Sequence, residues 1–296
     1  MKSRAILLVA SFVALPLPVI GQGSLPRQVF SGEVASGSWL RIRSLKGNIE
    51  VREGSGRNAI VTAAQGRGRR SAEAVTFEVK RDGSSVTVCA IYPRTRRCDE
   101  DGYDYSSWRS EDNEIGGIDF TVTLPKGVRL VAATGNGTVD VRGAGAEVKA
   151  SSGNGEVSVI GADGRVSASS GNGDVEVSGA KGTVDVSSGN GDIRVGTTIG
   201  PVSASTGNGR IDVSMSTLTE PGDMEFSTGN GTIEVSLPAN LNADVIADVS
   251  LRNFETDFPM QLPGRFSGRR IEGKIGSGGR RIRMSTGNGK VMLRKL

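Results

Sequence analysis

Residues 151–168 read SSGNGEVSVIGADGRVSA, and residues 169–186 read SSGNGDVEVSGAKGTVDV. The two segments align position for position, and that repetition decides the fold. The same Ser/Thr-Gly-Asn-Gly signature begins at Thr134, Ser152, Ser170, Ser188 and Thr206, each 18 residues after the last. It returns at Thr228 and Thr286, after spacings of 22 and 58. Each signature leads into a short alternating run, such as Val157 and Val159 or Ile193 and Val195. A second run, such as Val166 and Ala168, precedes the next signature. Alternation of apolar and polar residues over a few positions predicts a half-buried strand. One unit therefore holds two short strands and two corners. One corner is Gly-Asn-Gly and the other a stretch such as Gly161-Ala162-Asp163-Gly164. Glycine and asparagine tolerate positive φ, so sharp corners there cost little.

Self-similarity at a fixed period predicts an all-β, elongated β-solenoid, parallel and β-helix-like, in which each 18-residue rung buries its apolar face against its neighbours. Stacked rungs lie roughly 4.8 Å apart, so equivalent residues form columns. Asn136, Asn154, Asn172, Asn190, Asn208, Asn230 and Asn288 make a structural turn ladder of amides, with Ser151, Ser169, Ser187 and Ser205 beside it. The same residues also permit an antiparallel meander of short hairpins closed by Gly-Asn-Gly. A meander needs no distinction between alternate turns, so the near-identical units favour the solenoid.

Outward from the ladder the chain divides into three parts. Residues 1–21 have the pattern of a signal peptide: Lys2 and Arg4, an apolar run to Ile20, then small residues at the cleavage site. Residues 22–131 are β-rich but irregular, although Lys46 to Val51 resembles a degenerate copy of the later unit. Residues 132–296 carry the repeats, interrupted over 240–280 and closing with a basic rung at 281–296. No later segment is long and apolar enough for a membrane span, so no integral membrane segment is expected after cleavage. Cys89 and Cys98 flank a turn at Pro93, and an even cysteine count in an exported chain reads as a disulfide, with two free thiols the alternative.

Residues 99–119 depart from the pattern. Eight acids face one base, Arg109, and all three tyrosines plus Trp108 fall between 92 and 108. Tyr103, Tyr105, Trp108, Asp101 and Asp104 are the candidate binding residues, because aromatic faces stack on sugars or partner side chains and loops carry function. The plainer reading is a solvated excursion whose aromatics pin it to the sheet. Histidine is absent, which excludes Ser-His-Asp and Cys-His sites and the usual zinc ligand sets. No catalytic residue, metal site or cofactor is expected. The residues after each turn, Thr138, Glu156, Asp174, Asp192 and Arg210, break a calcium-ligand column. Removal of Lys2 and Arg4 lowers the formal charge from +4 to +2, too little to imply nucleic acid. The clusters at Arg67–Arg70, Arg94–Arg97 and Arg269-Arg270 read first as solvated faces.

The Leu-Pro-x-Gly strand end at 124–127, the recurring Ser/Thr-Gly-Asn-Gly-x-Val-x-Val units and the closing MSTGNGKVML at 284–293 resemble the "putative adhesin" family of bacterial β-strand-repeat proteins, catalogued as a domain of unknown function. The resemblance spans about residues 29–296. It implies an exported or envelope-associated all-β protein and transfers no catalytic residue. The expected function is therefore a non-enzymatic, adhesin-like structural or binding module of the cell envelope, in the periplasm or on the surface. Its partner would be an envelope polymer or a protein. A periplasmic accessory or envelope-stress sensor is the alternative, and a polysaccharide-active β-helix enzyme the remote one. Outward acids such as Asp140, Asp174, Glu176 and Asp212 are scattered among Ser, Lys and Arg rather than gathered in a cleft.

Overall fold

The computed structural model describes residues 26–66, 71–106, 115–196, 199–262 and 269–296. The signal-peptide segment 1–21, the Arg67–Arg70 cluster, Trp108 and Arg109 lie outside the described residues. The chain forms a 12-stranded and a 13-stranded sheet, joined rung by rung, with a separate two-stranded hairpin.

Through the repeats the pairing is parallel and in register. Val148, Val166, Val184 and Val202 stand in one column, and Val157, Val175, Ile193 and Ile211 in the column facing it. An antiparallel meander is thereby excluded, because each strand pairs with its equivalent one unit on. These inward residues are essentially fully buried. Each such Val or Ile contributes roughly 1.5–3 kcal/mol on burial. β-Branched side chains suit the space between two closely stacked sheets, and alternation places Ser, Lys and acids on the outside.

Every position of the signature has its own task. The leading hydroxyl points inward, between 3 % and 7 % exposed at all seven sites. It donates to the glycine carbonyl one rung back, as in Ser152 Oγ to Gly137 O at 2.7 Å and Thr206 Oγ1 to Gly191 O at 3.0 Å. A buried hydroxyl without that bond would carry a desolvation cost. The first glycine still lies in the strand. A Cβ on Gly153, Gly171 or Gly207 would stand 2.5 Å from the preceding rung's glycine oxygen. The asparagines join side chain to side chain, each Nδ2 donating to the previous Oδ1 at 2.7–2.8 Å from Asn154 to Asn288. The second glycine makes the bend, with φ between +144° and +157° in all seven copies.

The two ends are built differently from the middle. Arg280–Asn288 is the last signature-bearing strand in sequence, yet it lies between Met224–Asn230 and Ala243–Asp248. The expected basic terminal rung is therefore interior. The chain first lays down Ala243–Asp248 and Phe254–Thr256, then slots the final rung beneath them. Antiparallel Ile271–Ile275 and the two-residue Met260–Gln261 finish that edge. So short an edge strand is a poor template for another chain.

The N-terminal end mirrors this. Trp39–Lys46 and Ile49–Gly54 form a complete rung beside Arg129–Asn136 and Val139–Ala144. Outside it lies a rung of Ser85–Ile91 and Ile118–Pro125. Antiparallel strands cap both sheets: Asn58–Gln65 and Arg27–Glu33 on one, Thr76–Asp82 on the other. Cation–π contacts brace these edges, with Arg27 4.5 Å from the Phe77 ring and Arg81 5.4 Å from Phe30. The described N-terminal strands are thus irregular in sequence yet continuous in space with the repeats, since each sheet contains strands from both parts of the chain.

Gly171→Ala should destabilise the protein by roughly 1–3 kcal/mol through overpacking. Gly196→Ala, which meets open space, should cost much less. Urea unfolding of both variants checks this, and equal midpoints would refute the close-approach account. Asn172→Leu, which removes two ladder bonds, should also lower the melting temperature.

Candidate functional site

The corner between Ser85–Ile91 and Ile118–Pro125 is where the seven signature rungs carry Gly-Asn-Gly. Here residues 92–117 are inserted instead. Their described part folds back as a hairpin, Thr95–Cys98 against Tyr103–Tyr105. Its position follows from alternation. Val86 and Val88 pair with the inward Leu40 and Ile42, so Thr87 and Cys89 share the outer face with Arg41 and Arg43. Yet Thr87 is 4 % exposed and Cys89 0 %. The hairpin is tied down over Cys89 by the Cys89–Cys98 disulfide. Closing so short a loop contributes roughly 2–3 kcal/mol by restricting the unfolded chain.

Polar contacts complete the docking. Lys80 Nζ donates to Cys98 O and Arg43 Nη2 to Glu100 O, both at 2.8 Å. The Tyr103 hydroxyl donates to Ala90 O at 2.9 Å and lies 2.7 Å from Thr95 Oγ1. Buried Tyr92 donates to Lys46 O at 2.9 Å. Burial pushes the Tyr103 phenol up to about 12 from its ordinary 10.0 and raises Tyr92 further. Burial lowers the Arg43 guanidinium, and the neighbouring Arg41 adds to that.

The candidate residues thus separate into two groups. Tyr103 turns its hydroxyl inward, and Tyr105 packs partly buried against the core. Asp101 and Asp104 remain exposed. Asp99 shapes the tip, accepting the backbone N–H groups of Asp101 and Gly102. Arg97 reaches Asp99 at 3.8 Å and Asp101 at 3.9 Å. The Asp82 carboxyl, hydrogen-bonded to Glu100, raises that acid's pKa. The surface offered is charged, with Glu100, Asp101 and Asp104 exposed beside Arg96 and Arg97, on a stitched and well-seated base.

Two outer-face features were not singled out from sequence. Trp39 is ringed by cations, with Lys149 Nζ at 4.8 Å, Arg129 at 5.3 Å and Arg41 at 5.9 Å from its centroid. Farther along, a shallow hollow of about 360 Å3 is lined by Ser167, Asp185, Ser187, Ser203, Ser205 and Glu225 among others. Alternation could have found both once the register was known. The hollow pairs no free carboxylates, since Asp185 is bridged by Arg165. On the other sheet, Asp174 and Asp192 accept backbone N–H groups of the following rung and share Arg194. Among the described residues no group of three His, Cys, Asp or Glu is placed to hold a metal. No helix there is long and apolar enough to cross a membrane.

These features define a capped, two-sheet parallel β-solenoid with one stitched excursion. The chain belongs to the Toastrack DUF4097 family, whose profile matches residues 38–294. Two solved structures resemble it at 11 % identity. One, described as a "putative adhesin" from Bacteroides fragilis, aligns over 91 % of this chain and 97 % of its own, with a TM-score of 0.45. The other, a "putative cell adhesion protein" from Clostridium sporogenes, aligns over 92 % and 100 %, with a TM-score of 0.25. No curated protein matches the sequence.

The raised Tyr103 pKa has a defined linkage. Between pH 10.0 and about 12 the unfolded phenol is ionised while the folded one keeps its proton. Stability should be fully present below that window and fall as pH rises through it. Tyr103→Phe should flatten that part of the profile in alkaline denaturation. Reducing agent should likewise open the hairpin to limited proteolysis, and identical digests would remove the disulfide from this account.

Proposed function

We propose that this chain is an exported, non-enzymatic binding module of the bacterial cell envelope, in which the solenoid is a scaffold and the stitched hairpin the recognition element. The observation that carries the reading is the insertion at residues 92–117. It replaces a tight turn in an otherwise economical ladder and covers the outer face of one rung. Functional segments concentrate on loops held by rigid scaffolds.

Export is supported by two features. Residues 1–21 have the composition of a leader. The Cys89–Cys98 disulfide suits an oxidising compartment. In this reading residues 22–131 supply the hairpin and one cap, and 132–296 extend the scaffold. Asp140, Asp174, Asp185 and Asp192 of the ladder are engaged by arginines or backbone amides, which argues against polysaccharide cleavage.

A periplasmic accessory role remains the second reading, favoured by one observation. Tyr103 spends its hydroxyl inward, so the hairpin offers Asp101 and Asp104 rather than a stacked aromatic platform. That chemistry suits a basic protein segment better than a neutral sugar.

Protease treatment of intact and then permeabilised cells tests the location. Digestion on intact cells is the outcome expected for a surface adhesin. Protection until permeabilisation favours the periplasmic role, and protection by an intact inner membrane would sink both. Asp101→Asn with Asp104→Asn should weaken retention of the partner without lowering the melting temperature.

A further inference from the structure

The ladder repeats Asn-Gly seven times, at Asn136, Asn154, Asn172, Asn190, Asn208, Asn230 and Asn288. In that dipeptide the glycine nitrogen, unhindered by a side chain, can attack the preceding asparagine's Cγ. Attack requires the glycine amide to be free to lose its proton and the carboxamide to be free to turn.

Within the ladder both freedoms are removed. Gly137, Gly155, Gly173, Gly191, Gly209 and Gly231 donate their N–H to the asparagine carbonyl one rung on, at 2.8–3.0 Å. The Oδ1 atoms of the first six asparagines accept from the next asparagine at 2.7–2.8 Å. In every rung the Gly N–H and the Asn Oδ1 both face the next rung, so the last rung lacks both bonds. The Gly289 N–H has no partner among the described residues, and Asn288 Oδ1 accepts no bond there. Nor does the cap cover this corner. Its pairing ends at Asp248 opposite Ser285 and resumes at Phe254 opposite Val291. Asn288 is exposed in the gap.

We propose that Asn288 is a spontaneous modification site, the one ladder asparagine that deamidates in the folded protein. The Gly289 nitrogen forms a bond to Asn288 Cγ, its proton passes to solvent base, and the Cγ–Nδ2 bond breaks to release ammonia. Water then opens the resulting cyclic imide at either carbonyl, leaving aspartate or isoaspartate. One water enters and one ammonia leaves, with no change in oxidation state. The product loses the Nδ2 donor to Asn230 and places a negative charge against its Oδ1. Isoaspartate also lengthens the main chain by one carbon where the bend is tightest. The last rung and the cap resting on it are thereby loosened, while the other rungs keep their bonds.

The test is peptide mapping by mass spectrometry after incubating the native protein at mildly alkaline pH, with a parallel incubation in denaturant. In the native sample Asn288 should gain its one-unit mass increase roughly tenfold or more faster than Asn154, Asn172, Asn190 or Asn208, whose reaction waits for local opening. In denaturant the seven sites should converge. Asn288→Ser should abolish the native signal without raising that at Asn230, because Gly231 still donates to the residue 288 carbonyl. Internal sites reacting as fast as Asn288 in the native protein, or Asn288 staying as slow as they are, would overturn the proposal.

Discussion

The structure depends on backbone meeting backbone at one corner of every rung. Two glycines per signature let successive turns approach until a methyl group would collide with the neighbouring carbonyl. That approach brings the Gly N–H onto the next asparagine carbonyl and the buried hydroxyl onto the previous glycine carbonyl. Each rung therefore satisfies its corner only through its neighbours, and none could do so alone. The asparagine amides add a second, outer line of bonds along the same axis. Small β-branched residues then suffice for the core, because the sheets are held at fixed spacing by the corners rather than by large side chains.

A ladder that satisfies itself only through neighbours must be closed at its ends. The fold does this twice in the same manner. One rung is enclosed by chain that comes from elsewhere in the sequence; antiparallel strands finish both sheets at the N-terminal end and the 13-stranded sheet at the other, where parallel Phe254–Thr256 is the edge of the 12-stranded sheet. Both regular rungs nearest the ends are thus bonded on two sides. Cap pairing lapses over Thr286–Lys290, between Asp248 opposite Ser285 and Phe254 opposite Val291.

The stitched hairpin belongs to the same logic. An insertion is tolerated at a rung corner because the two strands it joins are positioned by their parallel neighbours, not by the connection between them. Cys89, outward by alternation, is fully buried where the hairpin is bonded to it. Tyr92 and Tyr103 serve this docking, which leaves charged side chains, Asp101 and Asp104 beside Arg96 and Arg97, as the accessible chemistry.

How much of this was legible in the sequence varies with distance along the chain. The period of Val148, Val166, Val184 and Val202 determined the two strands per rung, their register and the asparagine column. A repeat writes its nearest-neighbour contacts into every copy, so the copies can be read against one another. The clustering of acids and aromatics around the cysteines marked the excursion, but not which way its side chains face. That Arg280–Asn288 sits beside Met224–Asn230, across an intervening cap, was settled only by the tertiary structure. So was the pairing of Trp39–Lys46 with Arg129–Asn136. Both join segments through long, unrepeated stretches, and the partner of such a strand is chosen by burial and open backbone groups at the end of the ladder, which no local pattern encodes.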